Sequence, residues 1–331
     1  MKKKKVILSY DYELFFGDRS GTVQKSLIEP TNQLLDAMDS VGFKGNFFID
    51  WQMLKYLSLE EDERCKRDHA AIVNQLKDMV RRGHRIELHI HPHWVDAKYN
   101  GDGTWNFDEF RHYSLNSFSK DEITEMFVEG TNLLESIARE VVPDYKIIAF
   151  RAGGWAVQPF ELLKEGFIKA GIKIDSSPCK GFCAKHIYSF YDFRDMPAKS
   201  IYSFSNDICK EDVVGEFIEI PITPLKRPFI VKVIERLYQL FTSNCEYLTD
   251  GTHLRVKDND PCDDNYKMDN DLKMLSLYLS PYSVPIIINM YKDKKLLCFI
   301  QHPKDQTRMT TKCLNALGYI AKTTTYKDLL L

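Results

Sequence analysis

Three of the nine histidines in the chain fall within five positions, in the segment ELHIHPHW at 87–94. His89 and His93 are four residues apart, so their side chains share a direction on an extended strand or on one turn of helix. Two imidazoles and one carboxylate make a three-ligand set that leaves a coordination position for water, the usual arrangement of catalytic zinc. Asp11 and Glu13, in the early segment SYDYE at 9–13, are the carboxylates available for it. His91 follows a different logic because Pro92 bends the chain there: it contacts substrate, supports a ligand, or is hydrogen-bonded in the core. Arg151, Asp175 and His302 complete the titratable set, each at the end of a short apolar run.

These residues need elements that converge. The runs KVILSY (5–10), GNFFID (45–50), RIELHIH (85–91), KIIAF (146–150), IKIDSS (172–177), EFIEIPIT (216–223) and LLCFIQ (296–301) read as strands buried on both faces. Between the early ones lie segments of helical period. One spans about 31–41, with Leu34, Leu35 and Met38 on one face and Gly42 as its stop. Another spans about 68–82, with Ile72, Leu76, Met79 and Val80 on one face, and a third opens at the capping box SKDE (119–122). A fourth is expected over about 158–170, stopped by Gly171. The alternation predicts an α/β fold, about seven parallel strands with helices outside the sheet in one domain over 1–331. In a parallel barrel the strand ends share one mouth, which is where the acids, imidazoles and guanidinium collect. The Asp-, Asn- and Lys-rich stretch at about 243–271 reads as a solvated insertion or mobile loop.

The 331 residues are 44% hydrophobic and 28% charged, with a formal net charge of -2. That balance gives no footprint for nucleic acid. MKKKK at the start is followed by an apolar run broken at once by Asp11, so neither a signal peptide nor a membrane span is expected, and the eight scattered cysteines fit a reducing cytoplasm.

The order of these residues resembles the polysaccharide deacetylases, the chitooligosaccharide-deacetylase-like group of carbohydrate esterase family 4. SYDYE is similar to that family's T-F-D-D-G motif, and HIHPH to H-[ST]-x-x-H. RAGGW (151–155) is similar to R-x-P-[WY]-G, DSS (175–177) to D-[ST]-S, and FIQHP (299–303) in part to L-H-x-H. The resemblance implies that the sheet closes as a distorted (β/α) barrel, with Asp11 as base and Glu13, His89 and His93 as ligands of one divalent metal, most often zinc. It implies Arg151 orienting the base, His302 as general acid oriented by Asp175, and Trp155 walling a sugar groove. Tyr12 stands where the family carries its second aspartate, which leaves open an exchange of roles between Asp11 and Glu13. The implied activity is removal of an acyl group, an N-acetyl above all, from a carbohydrate precursor in cytoplasmic polysaccharide synthesis. Two alternatives are a barrel-type metal-dependent phosphoesterase or amidohydrolase, and a non-catalytic carbohydrate-binding homologue.

Overall fold

The computed structural model describes residues 3–186, 188–253 and 268–330. Nine strands form its main sheet: β1 Lys4–Tyr12, β2 Asn46–Asp50, β3 Arg85–Ile90, β4 Ala149–Ala152, β5 Ile174–Asp175, β6 Tyr202–Phe204, β7 Phe217–Glu219, β8 Leu297–Gln301 and β9 Ala321–Thr323. Their spatial order is β6-β7-β5-β4-β3-β2-β1-β8, with β9 also paired to β1. The strands β1, β2, β3, β4, β5, β7 and β8 run parallel, and only the edge strand β6 is antiparallel.

The sheet curls until its ends meet. Beyond β7, Thr223 N donates to Cys298 O (3.0 Å) and Cys298 N donates to the Thr223 hydroxyl (2.9 Å). Leu275 then bridges the gap, its N–H donating to Thr223 O at 2.8 Å while its carbonyl accepts from Ile300 N at 2.9 Å. Closure through a few bonds instead of a full ladder is what distorts this (β/α) barrel.

Strand parity decides which side chains enter it. Ile7, Phe48, Ala149, Ile174, Ile220 and Cys298 fill the interior as one buried cluster, closed at its base by Tyr326. The alternate residues face the helices. Tyr10 stacks on Phe47 at 4.7 Å, and Phe127, Phe150 and Phe167 interlock on the outer face.

Three early helices wrap that outer face: α1 Glu29–Ser40, α2 Trp51–Leu59 and α3 Glu63–Arg81. The third begins earlier than its periodicity implies, because the Asp62 carboxylate accepts from the N–H groups of Arg64 and Cys65. The next, α4 Lys120–Arg139, opens on the expected capping box, with Ser119 and Glu122 bonded reciprocally. It buries Ile123, Phe127, Leu134 and Ile137 against the sheet. Full burial of a side chain such as Phe127 contributes about 2–3 kcal/mol.

The helix expected over 158–170 is instead a tight turn, Phe160–Leu162, followed by the short α5 Lys164–Ala170. Within α5, a Cβ at Gly166 would lie 2.8 Å from the Phe127 ring, so the close approach to α4 requires glycine. The later helices are α6 Phe229–Phe241, α7 Val284–Met290 and α8 Arg308–Ile320.

The first described part of the polar insertion, up to 253, is docked rather than free. The Asp250 carboxylate accepts from Thr22 N (3.0 Å), the Thr22 hydroxyl (2.9 Å) and the Ser26 hydroxyl (2.8 Å). Residues 254–267 of that insertion lie outside the described residues. Among those described, no helix is long and apolar enough to cross a membrane, and Cys65, Cys179, Cys183, Cys209, Cys245, Cys298 and Cys313 are free thiols.

Candidate functional site

Parallel strands bring their C-terminal ends to one mouth. On β1, Ser9 and Asp11 share the inward parity of Ile7, and Glu13 continues it one residue past the strand. Tyr12 points the other way, its hydroxyl donating to Gln75 Oε1 at 2.8 Å. Glu13 is therefore the inward neighbour of Asp11.

Arg151, on β4, is fully buried and crosses the barrel interior. Its Nη1 donates to Asp11 Oδ1 at 2.5 Å, its Nη2 to the Ser9 hydroxyl at 2.9 Å and its Nε to Ser176 O at 2.8 Å. Its guanidinium lies 4.3 Å from the centre of the Phe48 ring. Burial opposes its charge, yet the adjacent Asp11 carboxylate raises it above its ordinary value. One Asp11 oxygen is thus fixed, and the other faces the mouth.

Glu13 Oε2 lies 2.9 Å from His89 Nε2 and 2.5 Å from His91 Nε2. The three donor atoms all fall within 4.8 Å of one another. Behind them, His89 Nδ1 donates to Arg151 O at 2.7 Å, which fixes the tautomer that presents Nε2 inward. Glu13 Oε1 accepts from the buried Lys304 ammonium at 2.7 Å, and Lys304 also donates to Leu14 O at 2.9 Å. Burial alone would raise the Glu13 carboxyl, but Lys304 and the two imidazoles hold it well below the usual range. Burial lowers His91 to about 4, so its ring is neutral and its lone pair available. Burial opposes charge on His89, but Glu13, Asp11 and Asp50 raise it above its ordinary value, the effect expected of an imidazole set among carboxylates. Two imidazoles and one ionised carboxylate, converging and oriented from behind, are a donor set that suits a divalent ion.

His93 is not part of this convergence, contrary to the spacing argument. The strand ends at Ile90, and Pro92–Asp96 forms a tight helical turn that leaves the His93 ring edge-on to that of His91 at 5.2 Å, outside the three-donor cluster. Its ring stacks on Tyr113 at 5.6 Å and meets Phe16 and Phe107 edge-on at 4.4 and 5.3 Å. Neither of its ring nitrogens has a hydrogen-bond partner among the described residues. His91 takes the place expected of His93 because it keeps the period-two direction of His89.

His302 follows β8, with Nε2 at 3.6 Å from both Asp11 Oδ2 and Glu13 Oε1. Its Nδ1 lies 3.1 Å from Asp305 Oδ2, and the other Asp305 oxygen is 2.8 Å from His253 Nε2. Burial works against the imidazolium, but Asp305, followed by Asp11 and Glu13, raises His302 above its ordinary value.

Asp175 does not reach His302. In register with Phe150, it shares the outward parity of that ring, and its oxygens accept from Ser177 N (3.0 Å) and the Ser177 hydroxyl (2.7 Å). Its other neighbour is Glu219, the paired residue on β7, whose carboxyl is raised well above its ordinary value by burial and by the Asp175 charge. The orienting carboxylate for His302 is Asp305, three residues on, at the end of the turn Pro303–Asp305 that also delivers Lys304.

Trp155 closes the tight turn after β4 with φ of 59°, a left-handed conformation that a tryptophan holds only when its surroundings enforce it. The neighbouring Gly153 admits no side chain, since a Cβ there would lie 2.7 Å from His91 Nδ1. Trp155, Tyr247, Tyr278, His302 and Asp305 line a cavity of about 310 Å³. At the end of β2, burial pushes Asp50 up to about 7, and one of its oxygens accepts from Trp94 Nε1 at 2.6 Å.

No family model matches the chain, and no curated protein matches it. Among solved structures, a putative polysaccharide deacetylase from Mycobacterium smegmatis aligns over 97% of this chain and 87% of its own, at 14% identity and a TM-score of 0.46. Puue allantoinase aligns over 98% and 88%, at 10% identity and a TM-score of 0.49. A family 4 acetyl xylan esterase from Clostridium thermocellum, in complex with a cobalt ion, aligns over 54% and 60%, at 14% identity and a TM-score of 0.30.

Proposed function

We propose that the chain is a metal-dependent hydrolase that removes an acyl group, N-acetyl above all, from a carbohydrate. One observation carries this reading: a carboxylate fixed by a buried arginine and an imidazole fixed by a second carboxylate face each other across 3.6 Å, directly beside the Glu13, His89 and His91 donors. In this reading Glu13 Oε2 and the Nε2 atoms of His89 and His91 hold the ion. A divalent ion held there supplies polarisation of the acyl oxygen and a more acidic water.

The chain's own residues supply the proton transfers. Asp11 Oδ2, the oxygen that Arg151 leaves free, accepts the proton of the attacking water. His302 Nε2, charged while Asp305 accepts from Nδ1–H, gives a proton to the departing nitrogen as the C–N bond breaks. Acetate and a free amine result. Asp175 has no part in this scheme except to tie β5 to β7, and Trp155 offers a ring face to a sugar. A cytoplasmic place in polysaccharide precursor synthesis fits the free thiols.

The test is acetate release from acetylated sugars before and after chelation. Metal-dependent release that falls with Asp11→Asn supports the reading. Full activity in stripped protein, or none from any acetylated sugar with zinc restored, overturns it.

A further inference from the structure

The cavity beside His302 has a second wall that the proposed chemistry does not use. The strands Pro224–Lys226 and Leu272–Met274 pair antiparallel, with Leu225 opposite Lys273. Directly opposed residues share a face, and so do residues two apart on an extended chain. Leu225, Lys273 and Arg227 therefore lie on one face, and all three line the cavity.

Nearby cations are matched by acids: Lys226 of this hairpin pairs with Asp269 at 2.8 Å, and Lys232 on α6 with Asp271 at 2.6 Å. Arg227 and Lys273 form no ion pair or side-chain hydrogen bond among the described residues. The one acid lining the cavity among the described residues, Asp305, is committed to His302 and His253. Among the described residues, two cations without an acid partner thus share a cavity of about 310 Å³ with the aromatic rings of Trp155, Tyr247 and Tyr278. That volume suits one sugar ring with a compact substituent and falls at the small end of ligand sites.

We infer that the substrate is an acylated sugar carrying a phosphate, whose ring lies against the aromatic wall and whose phosphate is taken by Arg227 and Lys273. The planar guanidinium fork suits a phosphate's paired oxygens, and the lysine adds a point charge. A dianion matches two cations where a neutral glycan would leave both unpaired. The inference rests on the acyl-sugar reading for the nature of the ring; the anion subsite is read from the wall itself.

The test compares N-acetylglucosamine 1-phosphate with N-acetylglucosamine, which differ only in the anion, by calorimetry and acetate release with the full, zinc-supplied chain. The phosphorylated sugar should bind at least about tenfold tighter, as charge-assisted bonds of this kind imply. Arg227→Ala with Lys273→Ala should abolish that preference without changing the neutral sugar's affinity. Equal binding of the two sugars, or a preference that survives in the double variant, overturns the inference. So does inorganic phosphate binding as tightly as the phosphosugar, and N-acetylmuramic acid doing so overturns phosphate in favour of carboxylate. Acetate released from both sugars with equal efficiency removes the anion inference and leaves the hydrolase reading standing. A phosphate-dependent preference with no acetate from either sugar supports the anion subsite and counts against hydrolysis.

Discussion

His91→Phe and His93→Phe make the same change two residues apart and should have opposite consequences. His91 Nε2 lies 2.5 Å from Glu13 Oε2 and belongs to the three-donor cluster. Groups that merely orient a metal ligand cost about 10- to 100-fold in affinity when removed, so losing a direct donor should exceed about 100-fold, or roughly 2.7 kcal/mol. His93 has two buried nitrogens without partners among the described residues, between Phe16, Phe107 and Tyr113. Each such atom costs about 1–3 kcal/mol, against which the larger phenyl ring adds about 1–3 kcal/mol of crowding. His93→Phe should therefore leave zinc affinity within about threefold and stability unchanged or raised by about 1 kcal/mol. Chelator competition reads the first quantity, and urea unfolding of metal-free protein the second. Loss of zinc in His93→Phe with retention in His91→Phe would refute the geometric assignment and restore the one suggested by the four-residue spacing.

Asp11→Asn should lower kcat by about 10²- to 10⁴-fold with the metal retained, whereas Glu13→Gln should weaken metal binding first; elemental analysis beside kinetics separates the two. His302 is raised by Asp305, so its imidazolium persists above the ordinary histidine range and its acid function is lost as pH rises through that raised value. The alkaline limb of kcat/KM should accordingly move down by about one pH unit in Asp305→Asn, and an unmoved limb would exclude the pair. Arg151→Met leaves Asp11 buried without its guanidinium and should cost about 3–5 kcal/mol in urea unfolding, far more than an exposed ion pair would.

The barrel was legible because its strands are apolar on both faces and its helices keep a clean period with caps, as the box at Ser119–Glu122 shows. Asp11, Glu13, His89, Arg151 and His302 could be singled out for a related reason: each is polar at the end of an apolar strand. What lay beyond reach was where the chain turns after a strand stops. The direction of His93 depends on the tight turn Pro92–Asp96, which a count along an extended strand cannot register. Lys304 and Asp305 were invisible because they belong to a three-residue turn, Pro303–Asp305, whose only sequence cue is a proline after His302. Asp175 matched a motif, but its parity with Phe150 sends it to the outer face. The insertion looked wholly solvated by composition, yet Asp250 anchors its first part through Thr22 and Ser26.

The division of labour between the two early carboxylates follows from the same parity. A strand entering the mouth presents every second side chain to the interior, so a base and a ligand contributed by one extended segment must lie an even number of residues apart. Asp11 and Glu13 meet that condition, and the intervening Tyr12 is spent on Gln75 in the helix layer. His89 and His91 repeat it two strands away, each pair with one member in its strand and the second just past the end. The cations then break the symmetry. Arg151 binds Asp11 from within the barrel and leaves Oδ2 towards His302, while Lys304 binds Glu13 from the mouth side and leaves Oε2 towards the imidazoles. Each carboxylate has one oxygen held by a buried cation and one directed elsewhere, and it is on that direction that the proposed reading gives proton transfer to Asp11 and metal binding to Glu13.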